Sequence, residues 1–238
     1  MSKILIIPDV HGRTFWKDAV EKHKDEVDKI VFLGDMVDPY PWEGITRKES
    51  ITNLQEIIDF KRENKNKVIL LLGNHDFPYL DNRNFYTRSR YDSSNARHIE
   101  EMFRSHRSLF QLAYEHTMGD KKYLFTHAGL IYEWYLRHKD LIGELTVNNL
   151  NSLQNTPNGI KALCEISRIR GGWDKYGSIV WADIDELRPE GMNENLPWDY
   201  QIVGHSQQKE HPVITKEWAC LDCRRAFILT EDGGFQEV

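Results

Sequence analysis

Five short polar segments of this chain combine residue types that bind divalent metal ions. Each follows an apolar run, and they read DVHG at 9–12, GDMVD at 34–38, GNHD at 73–76, THAG at 126–129 and GHS at 204–206. Carboxylate, amide and imidazole groups are ligands that hard and borderline divalent metals accept. A single Asp-x-His pair recurs by chance in many chains. Five such segments in order, each after an apolar run, predict a two-metal hydrolase.

The apolar runs before these segments predict short buried strands, because they are brief, rich in branched side chains and bounded by polar or glycine residues. They span 3–8, 29–33, 68–72, 122–125 and 201–203. Two amphipathic segments with helical period, 14–24 and 46–62, lie between the first three runs. Parallel neighbouring strands need such crossovers.

The predicted strands also fix where the polar segments would lie. Near-continuous apolar strands are typical of a sheet covered on both faces. Ligand sites in open sheets of this kind lie beyond the carboxyl ends of the strands. Residues far apart in sequence are therefore expected to converge on one edge, namely Asp9, Asp35, Asn74, His127 and His205.

The order of these motifs resembles the calcineurin-like metallophosphoesterase family. The similarity is closest to the branch that holds serine/threonine phosphoprotein phosphatases, small bacteriophage phosphatases and symmetrical diadenosine tetraphosphatases. Two further stretches resemble that branch, SIVWAD at 178–183 and ACLDCRRAFIL at 219–229, the second resembling its closing strand pair. The resemblance runs from about Lys3 to Thr230.

The resemblance implies an α/β fold, a four-layer αββα sandwich of two mixed sheets flanked by helices, with a dinuclear metal site at the carboxyl ends of strands. It implies a single metallophosphoesterase domain over residues 1–238. Segments around 77–107 and 183–199 would be insertions that act as a lid or set specificity.

Ligand roles follow from the same resemblance. Asp9 and His11 would hold the first metal, Asp35 would bridge both, and Asn74, His127 and His205 would complete the second. Two cations about 3.5–4 Å apart need an anionic bridge, and together they lower the pKa of a bridging water to about 7. The hydroxide would attack phosphorus in line. The expected cofactor is two divalent ions, Mn²⁺ first, with Fe, Zn²⁺ or Ni²⁺ as alternatives.

His75 and Asp38 would supply the proton chemistry. Imidazoles at adjacent positions cannot easily share one metal, so His75 is expected to donate a proton to the leaving alkoxide. Asp38 would accept from its other ring nitrogen and fix the tautomer. One histidine, or one aspartate after an apolar run, is more often an ordinary packing or turn residue. The presence of all six expected ligands in the expected order favours a metal site.

The chain departs from many family members at one position and from the branch itself at two others. Many family members end in Gly-His-x-His, whereas this chain has Gln207 in place of the second histidine. The phosphoprotein-phosphatase branch also lacks that histidine. The branch usually has phosphate-binding arginines where this chain has Pro39 and Leu72. Guanidinium contacts are not replaced by such residues. The candidate substitutes are Arg13, Arg168 and Arg170, which could equally be solvated surface arginines.

The segment 77–107 interleaves aromatic residues with arginines. Its aromatic residues are Tyr79, Phe85, Tyr86 and Tyr91, and its arginines are Arg83, Arg88, Arg90, Arg97, Arg104 and Arg107. Such a pattern can stack a base and hold phosphates. The alternative is a lid helix whose tyrosines pack inward and whose arginines pair with Glu100 and Glu101.

Composition bounds the class of protein. A chain of 238 residues with 40% hydrophobic content suits one medium domain. A net charge of −6 argues against a general nucleic-acid binder. No apolar stretch approaches the roughly 20 residues of a membrane span, and the first residues already read as a strand. Three cysteines cannot all pair, which favours a reducing cytoplasm, and the Cys-x-x-Cys at 220–223 is expected to serve packing.

Three functions stay open at this point. The leading one is a metal-dependent phosphomonoesterase acting on a phosphoprotein or a small phosphorylated molecule. The second is a hydrolase of a nucleotide substrate, such as a dinucleoside polyphosphate or a nucleic-acid phosphate. The third, a non-catalytic scaffold, is disfavoured because every expected ligand and His75 are present. The oligomeric state is not predicted.

Overall fold

The computed structural model describes residues 2–80, 90–191 and 193–238. Contacts divide the chain into two compact units, Met1–Gln111 with Arg224–Val238, and Leu112–Cys223. Each unit contains one of the two sheets. The expectation of one domain over 1–238 stays a prediction.

The sheet of the first unit is mixed. Its strands are β1 (Lys3–Ile7), β2 (Lys29–Phe32), β3 (Val68–Leu71), β4 (Phe110–Gln111), β10 (Phe227–Thr230) and β11 (Phe235–Glu237). Among the described residues they are ordered β11-β10-β1-β2-β3-β4. Strands β1 to β4 are parallel, while β10 pairs antiparallel with β1 and with β11. The parallel strands therefore end at a common edge of this sheet.

Helices connect these strands as the sequence predicts. They are α1 (Phe15–His23), α2 (Arg47–Glu63), α3 (Phe77–Leu80) and α4 (Ala96–Ser105), with 3-10 turns at Pro41–Glu43 and Arg107–Leu109. Thr46 and Glu49 form a capping box that starts α2, since each side chain bonds the backbone N–H of the other. The helix buries Leu54, Ile57 and Ile58. The predicted crossovers 14–24 and 46–62 are confirmed.

The sheet of the second unit is also mixed. Its strands are β5 (Ala113–Met118), β6 (Lys121–Thr126), β7 (Tyr200–Val203), β8 (Val213–Ile214) and β9 (Trp218–Cys220), ordered β5-β6-β7-β9-β8 in the described chain. The strands β6, β7 and β9 are parallel, and β5 and β8 are antiparallel edges. The residues that follow β6 and β7 thus leave the sheet side by side.

Short helices complete the second unit. They are α5 (Tyr132–Arg137), α6 (Lys139–Ile142), α7 (Val147–Ser152), α8 (Pro157–Leu163) and α9 (Ile184–Leu187), with 3-10 turns at Leu153–Asn155 and Arg168–Arg170. The predicted α/β class with two mixed sheets flanked by helices is confirmed. Among the described residues, no helix has both the length and the apolar character needed to cross a membrane.

One detail of the predicted closing strands differs from the structure. The run 219–229 carries β9 and the start of β10, but these strands belong to different sheets and do not pair with each other. The chain leaves β9 at Cys220 and enters β10 at Phe227, and Arg224 between them has φ of 65°. Apolar pattern alone does not reveal such a change of sheet.

Candidate functional site

The loops that follow β1 and β2 are joined through their backbones. The N–H of His11 donates to Asp35 O at 2.6 Å, and that of Gly12 donates to Met36 O at 3.0 Å. The loop after β3 is connected through Asp76, whose carboxylate accepts from Met36 N at 2.7 Å and Gly73 N at 2.9 Å. Three segments of the predicted site are thereby fixed at one edge of the first sheet.

Two glycines allow the second and third loops to approach closely. A Cβ on Gly73 would lie 2.1 Å from Asp35 Oδ1, and one on Gly34 would lie 2.5 Å from Gly73 N. Gly34 also has φ of 108°, which favours glycine. The glycines in GDMVD and GNHD therefore leave the space that Asp35 needs to lie where it does.

Several site residues adopt left-handed backbone conformations although they are not glycine. The φ angle is 46° at His11, 52° at Asp35 and 59° at Asp38 in the first unit, and 62° at His205 in the second. Each such residue costs about 1–3 kcal/mol, and residues of this kind concentrate at functional sites. These residues fall in three of the five motif segments, and Arg90 and Arg224 also have positive φ among the described non-glycine residues.

His11 and Asp35 form a buried pair of donor groups. Because a carbonyl only accepts, the 2.9 Å contact with Val37 O places a hydrogen on His11 Nδ1 and leaves Nε2 as the electron-pair donor. That Nε2 lies 3.4 Å from Asp35 Oδ2. Burial lowers the pKa of His11 well below its ordinary value and raises the pKa of Asp35. A neutral imidazole beside a buried carboxylate is a donor set suited to a divalent cation.

The other predicted ligands of this unit lie in the same loops. Asp9 follows β1 and Asn74 follows β3, and their exposed fractions are 1% and 3%. One donor atom from each of His11, Asp35 and His75 lies within 4.8 Å of the others. Distances alone would therefore also allow His75 to bind a metal, and its hydrogen bonds bear on that choice.

His75 is oriented by a buried chain of side chains. Its Nδ1 lies 3.0 Å from Asp38 Oδ2, and the Tyr79 hydroxyl donates to Asp38 Oδ1 at 2.6 Å. The N–H of His75 donates to Asp35 Oδ1 at 2.8 Å. Burial raises the pKa of Asp38 to about 8. This arrangement suits a proton donor whose Nε2 faces outward from the pair.

Arg90 is a site residue that sequence reasoning did not single out. Its Nη2 lies 3.1 Å from His75 Nε2 and 3.3 Å from His11 Nε2, and its Nε donates to Asp38 O at 3.2 Å. The absence of arginine at Pro39 and Leu72 signals that a guanidinium must come from elsewhere. Sequence could not choose Arg90, because the segment 77–107 contains several arginines.

Asp76 was also missed as an individual residue. It is fully buried, and burial together with the charge of Asp35 raises its pKa well above the ordinary value. Its two backbone hydrogen bonds, rather than a substrate, account for its position. The signal in the sequence was its place directly after His75 in GNHD.

In the second unit, His127 and His205 lie together. They follow the adjacent parallel strands β6 and β7, and His127 Nε2 is 3.2 Å from His205 Nδ1. This separation fits two imidazole nitrogens on one ion with bonds of about 2.0–2.1 Å. The rings of Trp181 and His205 pack edge to face, with their centroids 5.7 Å apart. Ile179 O accepts from Ala128 N at 2.9 Å, so the 178–183 stretch supports both histidine loops.

The three arginines proposed from sequence are placed differently. Arg13 donates to Glu43 at 2.9–3.1 Å and to Asp9 O at 3.1 Å, so it braces the first loop. Arg170 pairs with Asp183 at 2.7 Å and donates to Ser206 Oγ and to His205 O. Arg168 is exposed on a 3-10 turn. Two of the three therefore hold loops that carry predicted ligands.

The cysteine pair and the insertions have structural contacts. The thiol of Cys220 donates to Gly204 O at 3.2 Å and to Ser206 O at 3.3 Å, as a packing role would require. Tyr79 is buried and stacks on Tyr91, whose hydroxyl donates to Glu100. The predicted residues Arg83, Phe85, Tyr86 and Arg88 lie outside the described residues. In the segment 183–199, the indole of Trp198 donates to Glu115 at 2.7 Å.

Comparison with known proteins gives a sequence match and several structural ones. The family description "Calcineurin-like phosphoesterase" matches residues 2–208. No curated protein matches the sequence significantly. A cold-active protein-tyrosine phosphatase of a psychrophilic Shewanella species has a TM-score of 0.65 at 17% identity, with 100% of this chain and 80% of that chain covered.

Two further structures share the fold at lower scores. A protein serine/threonine phosphatase from Saccharomyces cerevisiae has a TM-score of 0.53 at 15% identity, covering 96% of this chain and 72% of that one. A hypothetical protein from Pyrococcus horikoshii OT3 also has a TM-score of 0.53, at 10% identity, covering 100% of this chain and 87% of that one. At identities this low, the structural similarity shows a common fold and nothing more specific.

Proposed function

The chain belongs to the calcineurin-like phosphoesterase family and is a metal-dependent phosphoester hydrolase, and we propose that its substrate is a phosphomonoester. The ester is carried by a phosphoprotein or by a small phosphorylated molecule. The observation that carries this proposal is the His75–Asp38–Tyr79 chain, which presents an imidazole suited to protonating a leaving alkoxide.

The residues that would hold the two metal ions fit the chemistry of divalent cations. Our proposed ligands are the six predicted from sequence: Asp9, His11, Asp35, Asn74, His127 and His205. The neutral Nε2 of His11 beside the Asp35 carboxylate supports this choice in the first unit, and the His127–His205 pair supports it in the second. When bound, such ions lower the pKa of a coordinated water and polarise a phosphoryl oxygen. The mixed nitrogen and oxygen set suits Mn²⁺, and also Fe, Zn²⁺ or Ni²⁺.

His75 and Asp38 are the proposed catalytic residues. Asp38 holds Nδ1 of His75, so Nε2 is the atom from which a proton would be delivered to the leaving group. A positioned acid of this kind contributes about 10²–10⁴ in rate, most for substrates whose leaving group is a poor one. Tyr79 positions Asp38 by donating its hydroxyl hydrogen to Asp38 Oδ1.

Arg13, Arg168 and Arg170 stay candidates for binding the substrate. Arg13 and Arg170 already carry ion pairs with Glu43 and Asp183, so we expect each to stabilise a loop more than to grip phosphate. We also propose a cytoplasmic location, which the three free thiols support.

The test is Mn²⁺-supported hydrolysis of p-nitrophenyl phosphate, bis-p-nitrophenyl phosphate, a phosphoserine peptide and diadenosine tetraphosphate. We expect turnover of the monoesters over the diester and the dinucleotide. Preference for diadenosine tetraphosphate would establish the nucleotide alternative instead. No metal-dependent turnover of any of the four would overturn the proposal.

The variant His75→Ala separates the acid role from metal binding. We expect unchanged metal content and a rate loss of about 10²–10⁴ on the phosphoserine peptide, with a smaller loss on the nitrophenyl ester. His98→Ala, which removes an exposed histidine on α4, is the matched control and should behave as wild type. Loss of bound metal in His75→Ala would make His75 a ligand.

A further inference from the structure

A cavity of about 340 Å³ in the first unit is lined in part by two residues that contact His75, namely Asp38 and Arg90. Its lining includes the aromatic rings of Tyr40 and Tyr91 and the aliphatic side chains of Ile45, Ile51 and Ile99. The buried carboxyl of Asp38, which holds His75, also lines it. A group attached to the oxygen that His75 protonates would therefore have this cavity next to it.

Arg90 lies between this cavity and the catalytic imidazole. Its guanidinium carbon is 3.7 Å from the centroid of the Tyr40 ring, a cation–π contact, while Nη2 is 3.1 Å from His75 Nε2. The donation from Nε to Asp38 O fixes the base of the guanidinium. A planar, permanently charged donor at this place is suited to a phosphoryl oxygen, to which Nη2 would donate instead of to His75 Nε2.

Three charged side chains of the cavity wall, Arg47, Asp92 and Asp38, already have ion-pair or hydrogen-bond partners. Arg47 pairs with Asp92 at 2.5 Å, and Asp92 also accepts from Ser94 N and Asn95 N. Both carboxyl oxygens of Asp38 have partners in His75 and Tyr79. The surface left to a ligand is therefore mainly apolar and aromatic, which disfavours a polyhydroxyl or charged ester group.

From these observations, and resting on the proposed phosphomonoesterase activity, we propose that Arg90 binds the phosphoryl group and that the cavity receives the ester group. The substrate class is then phosphomonoesters of aromatic or bulky apolar groups. Arg90 would supply the guanidinium that Pro39 and Leu72 do not.

The experiment compares non-hydrolysable phosphonates, because rates alone would mix binding with leaving-group chemistry. Kd values of methylphosphonate, 2-hydroxyethylphosphonate and benzylphosphonate are measured by calorimetry on the Mn²⁺-loaded full chain. We expect benzylphosphonate to bind at least about tenfold more tightly than the other two, since a buried phenyl ring gains that much from leaving water. Equal affinities would overturn the cavity assignment.

Two substitutions of Ile51 test the place of the ring. Ile51→Trp fills the cavity and should abolish the advantage of benzylphosphonate while methylphosphonate binds as in wild type. Ile51→Leu conserves volume and should keep the advantage. An advantage that survives in Ile51→Trp would place the ring elsewhere.

Arg90→Ala tests the phosphoryl contact separately. Methylphosphonate and benzylphosphonate should both bind about tenfold or more weakly, with the ratio of their Kd values unchanged, and Arg90→Lys should recover only part of the loss. Arg62→Ala, at the exposed end of α2, is the control for removing an arginine. Wild-type affinity in Arg90→Ala would refute the role of Arg90.

Turnover of p-nitrophenyl phosphate by the same wild-type preparation distinguishes the two proposals. Turnover without a benzylphosphonate preference would leave the phosphomonoesterase function standing and reject this inference. Phosphonate binding with the expected preference but without turnover would reject the function and retain the binding site.

Discussion

Gly73 controls the position of Asp35 through space rather than through backbone angle. Its φ is not in the left-handed region, but an added Cβ would lie 2.1 Å from Asp35 Oδ1 and 2.4 Å from Asp35 N. The neighbouring atoms are a buried carboxylate and backbone, which cannot easily move aside. A methyl group there must displace the proposed bridging ligand.

We therefore expect Gly73→Ala to lose bound metal and to lower the free energy of unfolding by about 1–3 kcal/mol or more, as overpacking does. The measurements are metal content after gel filtration and urea denaturation. Gly44→Ala is the matched control: φ there is 71° and the space around the added Cβ is open, so only backbone strain of about 1–2 kcal/mol applies. A metal-loaded Gly73→Ala of wild-type stability would contradict this account.

The sequence allowed us to predict which residues gather at the edge of the sheet, but not which side chains they contact there. The positions of Asp9, Asp35 and Asn74 follow from strands that end at one edge of the sheet, so their place was accessible from sequence, while their role as metal ligands stays a prediction. The place of Arg90 was not accessible, because the segment 77–107 contains several arginines and no motif selects one of them. The roles of Arg13 and Arg170 in holding loops were also missed, because the sequence does not reveal which carboxylate an arginine will pair with.

At the level of elements, the segment 177–183 shows why an apolar run need not be a strand. Ser178 Oγ donates to Leu163 O at 2.7 Å, and the N–H of Ser178 donates to Glu165 O. Glu186 secures the other side, accepting from Asp183 N at 2.9 Å and from Gly177 N at 3.3 Å. Side-chain bonds of this kind hold SIVWAD as a turn against the histidine loops.

Glu186 gives this segment a pH dependence. Burial, the largest cause, raises the pKa of Glu186 above its ordinary value although the backbone N–H donors oppose it. The folded protein then binds this proton more tightly than the unfolded chain does. The contribution of Glu186 to stability is present in full below the ordinary glutamate pKa of about 4.3 and is lost as pH rises through the raised value.

We expect the free energy of unfolding of the wild type, relative to that of Glu186→Gln, to fall as the pH rises. The fall should begin at about pH 4 and continue above the ordinary glutamate pKa of about 4.3. Urea denaturation of both proteins at several pH values measures the difference. Glu194→Gln, which changes an exposed glutamate, is the control and should show no such trend. A difference that grows in favour of wild type with rising pH would contradict the sign.

At the level of the whole molecule, the proposed ligands are divided between the two units. Asp9, His11, Asp35 and Asn74 belong to the first unit, and His127 and His205 belong to the second. The strand order within each sheet was within reach of sequence reasoning only where parallel strands and crossovers alternate, as in β1 to β3. The change of sheet between β9 and β10 was not, because a single short turn around Arg224 accomplishes it.

This division predicts how metal ions act on the chain. A ligand that binds only the folded state stabilises it by about 2.7 kcal/mol at a concentration 100 times its Kd. Mn²⁺ should therefore raise the melting temperature of chelator-treated protein, and the rise should shrink in Asp35→Asn and also in His127→Ala.

Hydrogen exchange should slow in the segments 9–12, 34–38 and 73–76 and equally in 126–129 and 204–206. The strands β10 and β11, which carry no proposed ligand, serve as internal reference. Protection confined to the segments of the first unit, with His127→Ala stabilised by Mn²⁺ as wild type is, would remove His127 and His205 from the ligand set while leaving His11 and Asp35 in it.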